Sequence, residues 1–204
     1  ISALIDWNRS LVGWWRMDND SSVGENDTHV YDWSGKGNNG TVINATFNSS
    51  GRYGGAFEFD GVGSNTHISV DNGTQFTNVC NNGCSFSAWV KKADTNTGGQ
   101  VIARADFTES NIFMQLYVNA NGNTYFEIGN NGNNTGNCYQ DYGGNDVVLS
   151  SWEHIVGVYN LTDVAVYRDG AFGDNTSCSF AFNQTAWQDK ESMLIGANDD
   201  SSIS

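Results

Sequence analysis

An all-β fold, a two-sheet antiparallel sandwich, is what the sequence predicts, and three observations lead to it. Short apolar or alternating segments recur along the 204 residues, separated by turns rich in glycine and asparagine. No segment carries a sustained helical period of apolar residues. The composition holds 24 glycines and no proline, with aromatic residues at 13%. Glycine and asparagine must therefore make the corners, while aromatic side chains favour strands and bury large areas. Many short strands between such turns pack as two layers. With no internal repeat and no composition break, residues 11–204 read as one domain, preceded by a lead-in or linker over residues 1–10.

Residues 11–17 read as the first strand, with Trp14 and Trp15 on opposite sides because strand side chains alternate. One of the two is expected in the core. An acidic loop over residues 18–27 follows, then a glycine-asparagine turn (32–40) leading into a strand at 41–46 that contains Val42 and Ile43. The stretch 51–61, G-R-Y-G-G-A-F-E-F-D-G, opens on Gly54 and Gly55, runs through apolar Ala56, Phe57 and Phe59, and closes on the turn Asp60-Gly61. It reads as a buried strand between two corners. Residues 66–70 (T-H-I-S-V) alternate and are expected to pair with it as a hairpin. In residues 86–90, Phe86, Ala88 and Val90 share one face and Ser87 and Trp89 the other. Segments 101–105, 112–118 and 125–128 follow at the spacing of a meander, and 131–137 is loop. Residues 152–159 and 164–167 form the next hairpin, with 155–159 apolar on both faces, as a strand covered on each side would be. A late strand occupies 192–196. The aromatics Trp15, Trp89, Trp152 and Tyr167 are assigned to the core.

Five segments in order carry a family resemblance: L-V-G-W-W-R-M-D (11–18), D-W-S-G-K-G-N-N-G-T (32–41), the stretch 51–61, F-S-A-W-V-K (86–91), and W-E-H-I-V-G-V-Y with V-Y-R-D-G (152–159 and 166–170). Together they resemble the laminin G-like domains of the concanavalin A-like lectin/glucanase group. The resemblance implies a jelly roll with one concave and one convex sheet. It also implies a final strand after the I-G-A segment, where this chain has only D-D-S-S-I-S (199–204). That sheet edge is therefore expected to be completed from elsewhere, by residues 1–7 or by a strand of a neighbouring subunit. Function follows more loosely, since one fold hosts many functions.

A net charge of −14, from 23 acidic against 9 basic residues, argues against nucleic acid and against an anionic membrane surface. No run of 18 apolar residues is present, so no direct membrane insertion by a helix is expected. Four cysteines and eleven N-x-S/T sequons point to an extracellular or cell-surface glycoprotein: Asn8, Asn19, Asn26, Asn39, Asn44, Asn48, Asn72, Asn133, Asn160, Asn175 and Asn183. An asparagine-rich composition without glycans is the competing reading. Four cysteines allow three pairings. Cys80 and Cys84 enclose a loop tight enough to close locally, which leaves Cys138 with Cys178.

Glycosidase chemistry needs two carboxylates flanking the scissile bond. The nearest pattern, Glu58-Phe59-Asp60, lacks the third acid of the E-x-D-x-x-E strand of retaining glucanases, and Glu153 has no acid two residues on. His29, His67 and His154 show no zinc-ligand spacing. The chain therefore reads as non-enzymatic. One structural calcium is the only cofactor pointed to, by the acidic glycine-asparagine loops and by the family resemblance, with Asp18, Asp32 and Asp60 as its candidate ligands. Turn capping by the same side chains is the alternative. Carbohydrate recognition needs exposed aromatics beside polar donors, and Tyr139, Tyr142 and Trp187 stand in loop-like surroundings. The resulting expectation is a recognition or adhesion domain whose partners are surface glycans or proteins. Its rivals are a self-assembling subunit of a surface filament, sheath or layer, and an accessory carbohydrate-binding module of a larger hydrolase.

Overall fold

The structure, a computed structural model, describes residues 10–60, 66–70, 76, 79–93, 98–106, 111–129, 138–142, 149–179 and 192–197. The lead-in 1–9, the loop 131–137 and residues 199–204 lie outside them. Among the described residues fourteen strands form: β1 (His29–Val30), β2 (Gly40–Ile43), β3 (Thr46–Asn48), β4 (Ala56–Glu58), β5 (His67–Val70), β6 (Cys84–Lys91), β7 (Gly99–Asp106), β8 (Asn111–Val118), β9 (Thr124–Ile128), β10 (Cys138–Asp141), β11 (Trp152–Tyr159), β12 (Asp163–Arg168), β13 (Ala171–Ser177) and β14 (Met193–Ile195). They make an eight-stranded sheet, ordered β1-β2-β5-β14-β7-β8-β9-β10, a four-stranded sheet, β13-β12-β11-β6, and a two-stranded piece, β3-β4. Every pairing between named strands is antiparallel. The architecture is an antiparallel jelly-roll sandwich, as expected.

The core lies between the layers. Val42, Ile68, Val70, Leu116, Phe126 and Ile128 contribute from the larger sheet, Ile155, Val164 and Val166 from the smaller, and Phe57 from β4. Alternation sets which residues enter it: β9 runs buried, half-buried, buried, and β11 does the same in opposite phase. The meander β7-β8-β9 and the hairpin β11-β12 form as predicted. The faces of β6 are also as read, with Phe86 and Val90 packed on the core and Trp89 turned outward. Trp89 is therefore not a core residue, and Trp152 and Tyr167, which share its outward phase, are only half-buried. The outward phase of β11 carries half-buried Val156 and Val158, so its apolar character on both faces does not signify a second covering layer among the described residues.

Two further differences have physical causes. Residues 11–17 form no strand; Trp15 makes a single bridge to Asp32. Their order comes from side chains: the Trp14 N–H donates to Asp32 Oδ1 at 3.0 Å, and the Trp15 indole donates to the Asn38 carbonyl at 2.7 Å. Trp15 joins the core while Trp14 stays 47% exposed. β5 does not pair with β4; it lies between β2 and β14, while β4 pairs with β3. His67, Ile68 and Val70 are all buried, which requires a central position in the larger sheet, and Phe47 and Phe57 meet edge-to-face across β3-β4 at 5.7 Å. β14 is also central, between β5 and β7, and all three of its residues are buried. β6 closes one end of the smaller sheet and pairs only with β11 among the described strands.

At Gly157 the layers approach closely, since a Cβ there would stand 2.3 Å from the Phe126 ring. We expect Gly157→Ala to lower unfolding stability by about 1–3 kcal/mol through overpacking, read from the urea midpoint. His67 is buried with its Nδ1 unpartnered among the described residues, and burial holds its pKa below the ordinary 6.5. The folded chain thus resists a proton that the unfolded chain accepts. Stability present above pH 6.5 is lost as the pH falls through the depressed folded value. Urea unfolding at about pH 7.5 and about pH 5 should show a smaller acid loss for His67→Gln than for the parent. Equal losses would assign the acid sensitivity to other groups.

Candidate functional site

Because Thr124, Phe126 and Ile128 face the core, Tyr125 and Glu127 face away from it. Register then carries a set of side chains to the same outer surface. Gln115 and Tyr139 flank Glu127, and Tyr117 and Asp141 flank Tyr125. The outer face of β8, β9 and β10 thus holds three tyrosines, two carboxylates and an amide. Gln115 Nε2 donates to Glu127 Oε2 at 2.8 Å, while Gln115 Oε1 is buried without a partner among the described residues. The Tyr117 and Tyr125 rings lie 6.1 Å apart, and Asn119 Nδ2 donates to the Tyr125 hydroxyl at 3.3 Å. Tyr139, at the sheet edge, is 58% exposed.

The same edge opens onto a cavity of about 440 Å3 lined by Tyr139, Gln140, Asp141, Thr176 and Ser177. The Cys138–Cys178 disulfide, which joins the ends of β10 and β13 with their Cα atoms 5.4 Å apart, also lines it. Thr176 Oγ1 donates to Gln140 Oε1 across the gap. Ser177 Oγ donates to Asp163 Oδ1 at 2.6 Å, and this bond, then that from Thr162, holds the Asp163 carboxyl below its usual pKa. Aromatic faces beside amide, hydroxyl and carboxylate groups are the chemistry that holds a sugar ring: C–H faces stack on the rings and hydroxyls donate to the acids.

Of the sequence candidates, Tyr139 stands in this site. Tyr142 does not present its ring in the same way; it is half-buried against Gly173, where a Cβ would meet it at 2.5 Å, and the Arg168 guanidinium lies 4.3 Å from its centroid. Trp187 lies outside the described residues. Tyr117, Tyr125, Gln115, Glu127 and Asp141 were not singled out from the sequence. Their signal is the polar or aromatic phase of M-Q-L-Y-V and T-Y-F-E-I, which alternates with the apolar phase that faces the core.

Asp18, Asp32 and Asp60 do not come together as a metal-binding cluster. Asp32, 1% exposed, accepts from the Trp14, Ser34 and Asn38 backbone N–H groups and from Ser34 Oγ, so both of its oxygens serve the turn. Asp18 pairs with Arg16 at 2.6 Å, and Asp60 accepts from Thr66 Oγ1 at 3.1 Å. Three sequons carry a local bond of their own. Asn26 and Asn160 each accept from the backbone N–H and hydroxyl of the threonine two residues on, and Asn48 accepts from the Ser50 N–H. Nδ2 of Asn19 donates to Asp27 and that of Asn48 to Glu58. Asn39, Asn44 and Asn175 are exposed, while Asn8, Asn72, Asn133 and Asn183 lie outside the described residues. Glu58 is exposed and bonded to Asn48, and Glu153 is buried beside Arg168 at 3.4 Å. The cysteines pair as Cys80–Cys84 and Cys138–Cys178.

Two antiparallel sheets with their polar-aromatic face on the larger one define a lectin-type jelly roll. The chain belongs to the concanavalin A-like lectin/glucanases superfamily, whose laminin G-type family model matches residues 60–203. A search of curated proteins returned no match. Among solved structures, the binding domain of Paraclostridial Mosquitocidal Protein 1 is similar at 14% identity and a TM-score of 0.59, over 83% of this chain and 42% of that one. Domain 4 of AbnA, an extracellular arabinanase from Geobacillus stearothermophilus solved with arabinotriose, is 19% identical with a TM-score of 0.57, over 84% and 83%. A mutant Trypanosoma rangeli sialidase displaying trans-sialidase activity is 16% identical with a TM-score of 0.58, over 85% of this chain and 26% of that one. This chain thus spans less than half the length of the first of these proteins and about a quarter of the third.

The two disulfides should differ in weight. Cys138–Cys178 spans 40 residues and Cys80–Cys84 spans 4. Chain entropy then gives about 4 and about 2 kcal/mol respectively. Denaturant unfolding of the two Cys→Ser pair variants is expected to rank them in that order.

Proposed function

We propose that this domain is a non-catalytic carbohydrate-binding domain acting in extracellular recognition or adhesion, and that the outer face of β8-β9-β10 with its edge cavity is the binding surface. The observation that carries the reading is Tyr139: a tyrosine left exposed at a sheet edge, flanked in register by Glu127 and in the cavity by Gln140, Asp141 and Thr176. The carboxylates Glu127 and Asp141 favour neutral sugars, whose hydroxyls donate to them without charge repulsion. The arabinotriose complex of the AbnA domain supports the same class of ligand. Two disulfides support an oxidising, extracellular address.

A second reading, an accessory module of a larger hydrolase, is favoured by the extent of the AbnA match, which covers 83% of that domain. Both readings place sugar on the same face. A neutral-glycan array that includes arabinotriose, followed by calorimetry on the best hit, tests the site. Tyr139→Ala should weaken binding at least tenfold while leaving the melting temperature within a degree or two, because the ring buries little of its surface. Hydrolysis of the bound glycan, abolished by Glu127→Gln, would overturn the non-catalytic reading.

A further inference from the structure

The outer surface of the smaller sheet carries the opposite chemistry. Trp89 and Lys91 of β6 stand opposite His154 and Trp152 of β11, so two tryptophans and two basic groups alternate as a checkerboard on one face. The turn that joins β3 to β4 adds Arg52 and Tyr53. The Arg52 guanidinium lies 4.8 Å from the Trp89 centroid and 5.0 Å from that of Tyr53. The two rings meet edge-to-face at 5.5 Å. His154 covers Trp89 as well, at 5.2 Å and 30° between planes, and Lys91 Nζ is 5.8 Å from Trp152. Tyr53 is 67% exposed.

Arg52 is notable for the company it lacks. In a chain with 23 acidic side chains, no carboxylate pairs with it among the described residues. Arg16 and Arg168 each have an acid beside them. Asp18, which accepts the Gly55 N–H of the Arg52 turn at 3.3 Å, is paired with Arg16 at 2.6 Å, and Asp169 accepts the His154 backbone N–H at 2.9 Å. A guanidinium packed on aromatic rings keeps its in-plane N–H donors available and its orientation restricted. That is the arrangement that grips a planar carboxylate bidentately. The adjoining Tyr53 ring offers an apolar surface for the C–H face of a pyranose, and Lys91 adds positive charge on the same face.

We infer that Arg52, Tyr53 and Lys91 form a second binding site, separate from the β8-β9-β10 face, for a carboxylated pyranose such as a uronic acid residue of an acidic glycan. The two faces thereby divide the ligands: acid-lined for neutral sugars, cation-lined for acidic ones. The probe is tri-galacturonate, with its neutral tri-galactose counterpart, titrated calorimetrically against the whole chain at low and at raised salt. Binding of the uronate should be at least tenfold tighter than that of the neutral sugar and should weaken with salt. Arg52→Gln should reduce it tenfold or more, Tyr53→Ala severalfold, and Tyr139→Ala should leave it unchanged, which keeps the outcome independent of the other face. Circular dichroism of each variant checks that the sandwich persists, and Arg52→Lys, which keeps the charge but not the fork, should recover only part of the affinity. Absence of uronate binding, equal affinity for the neutral sugar, tighter binding of a sulfated trisaccharide, or indifference to Arg52→Gln would overturn the assignment.

Discussion

The contact between the two layers at Gly157 and Phe126 governs the rest of the molecule. Phe126 is fully buried and leaves no room for a Cβ opposite it. With that ring pinned inward, alternation obliges Tyr125 and Glu127 to point out, and antiparallel register passes the same obligation to Gln115, Tyr117, Tyr139 and Asp141. On the facing sheet, Gly157 and Ile155 point in, so His154 and Val156 point out, and Trp89 is carried out with them. A one-residue slip in either sheet would exchange core for surface. Both candidate binding faces are therefore consequences of how the core is packed.

A polar hub does comparable work at the start of the described chain. Asp32 is buried and gathers four donors from Trp14, Ser34 and Asn38. Asn38 in turn donates to the Val12 carbonyl at 2.7 Å and accepts the Trp15 indole. A buried carboxylate is costly unless its lone pairs are used, and here each oxygen receives two donors. The hub orders residues 12–15 without a ladder of backbone bonds, which is why strand periodicity misread them.

The two outer faces differ because charge is unevenly distributed over a strongly acidic chain. Acids appear on the β8-β9-β10 face as Glu127 and Asp141, whereas Arg52 and Lys91 lie beside Trp89 and Trp152. The Cys138–Cys178 bond ties the edge of the larger sheet to the smaller one next to Tyr139, so that part of the cavity lining there is covalently held. Tyr142, under Arg168 and against Gly173, closes the same end from within.

Alternation and glycine-rich corners, which are local properties, were enough to determine most of the strands and the sandwich, while the five motif segments carried the laminin G-like resemblance. Cysteine spacing likewise pointed to the pairing of Cys80 with Cys84, whose Cα atoms are 4.7 Å apart. Strand partners were not legible: β5 left β4 for the centre of the larger sheet because three of its four residues need burial, and that depends on distant β2 and β14. Only tertiary structure decided which aromatics meet water. Tyr139 and Tyr142 are three residues apart and look alike in sequence, yet one stands at a sheet edge and the other lies under an arginine from β12. Trp89, motif-like and apolar, falls outside because its strand turns Phe86 and Val90 to the core. The reason is the same in each case: a side chain's exposure is set by what packs against it from far along the chain.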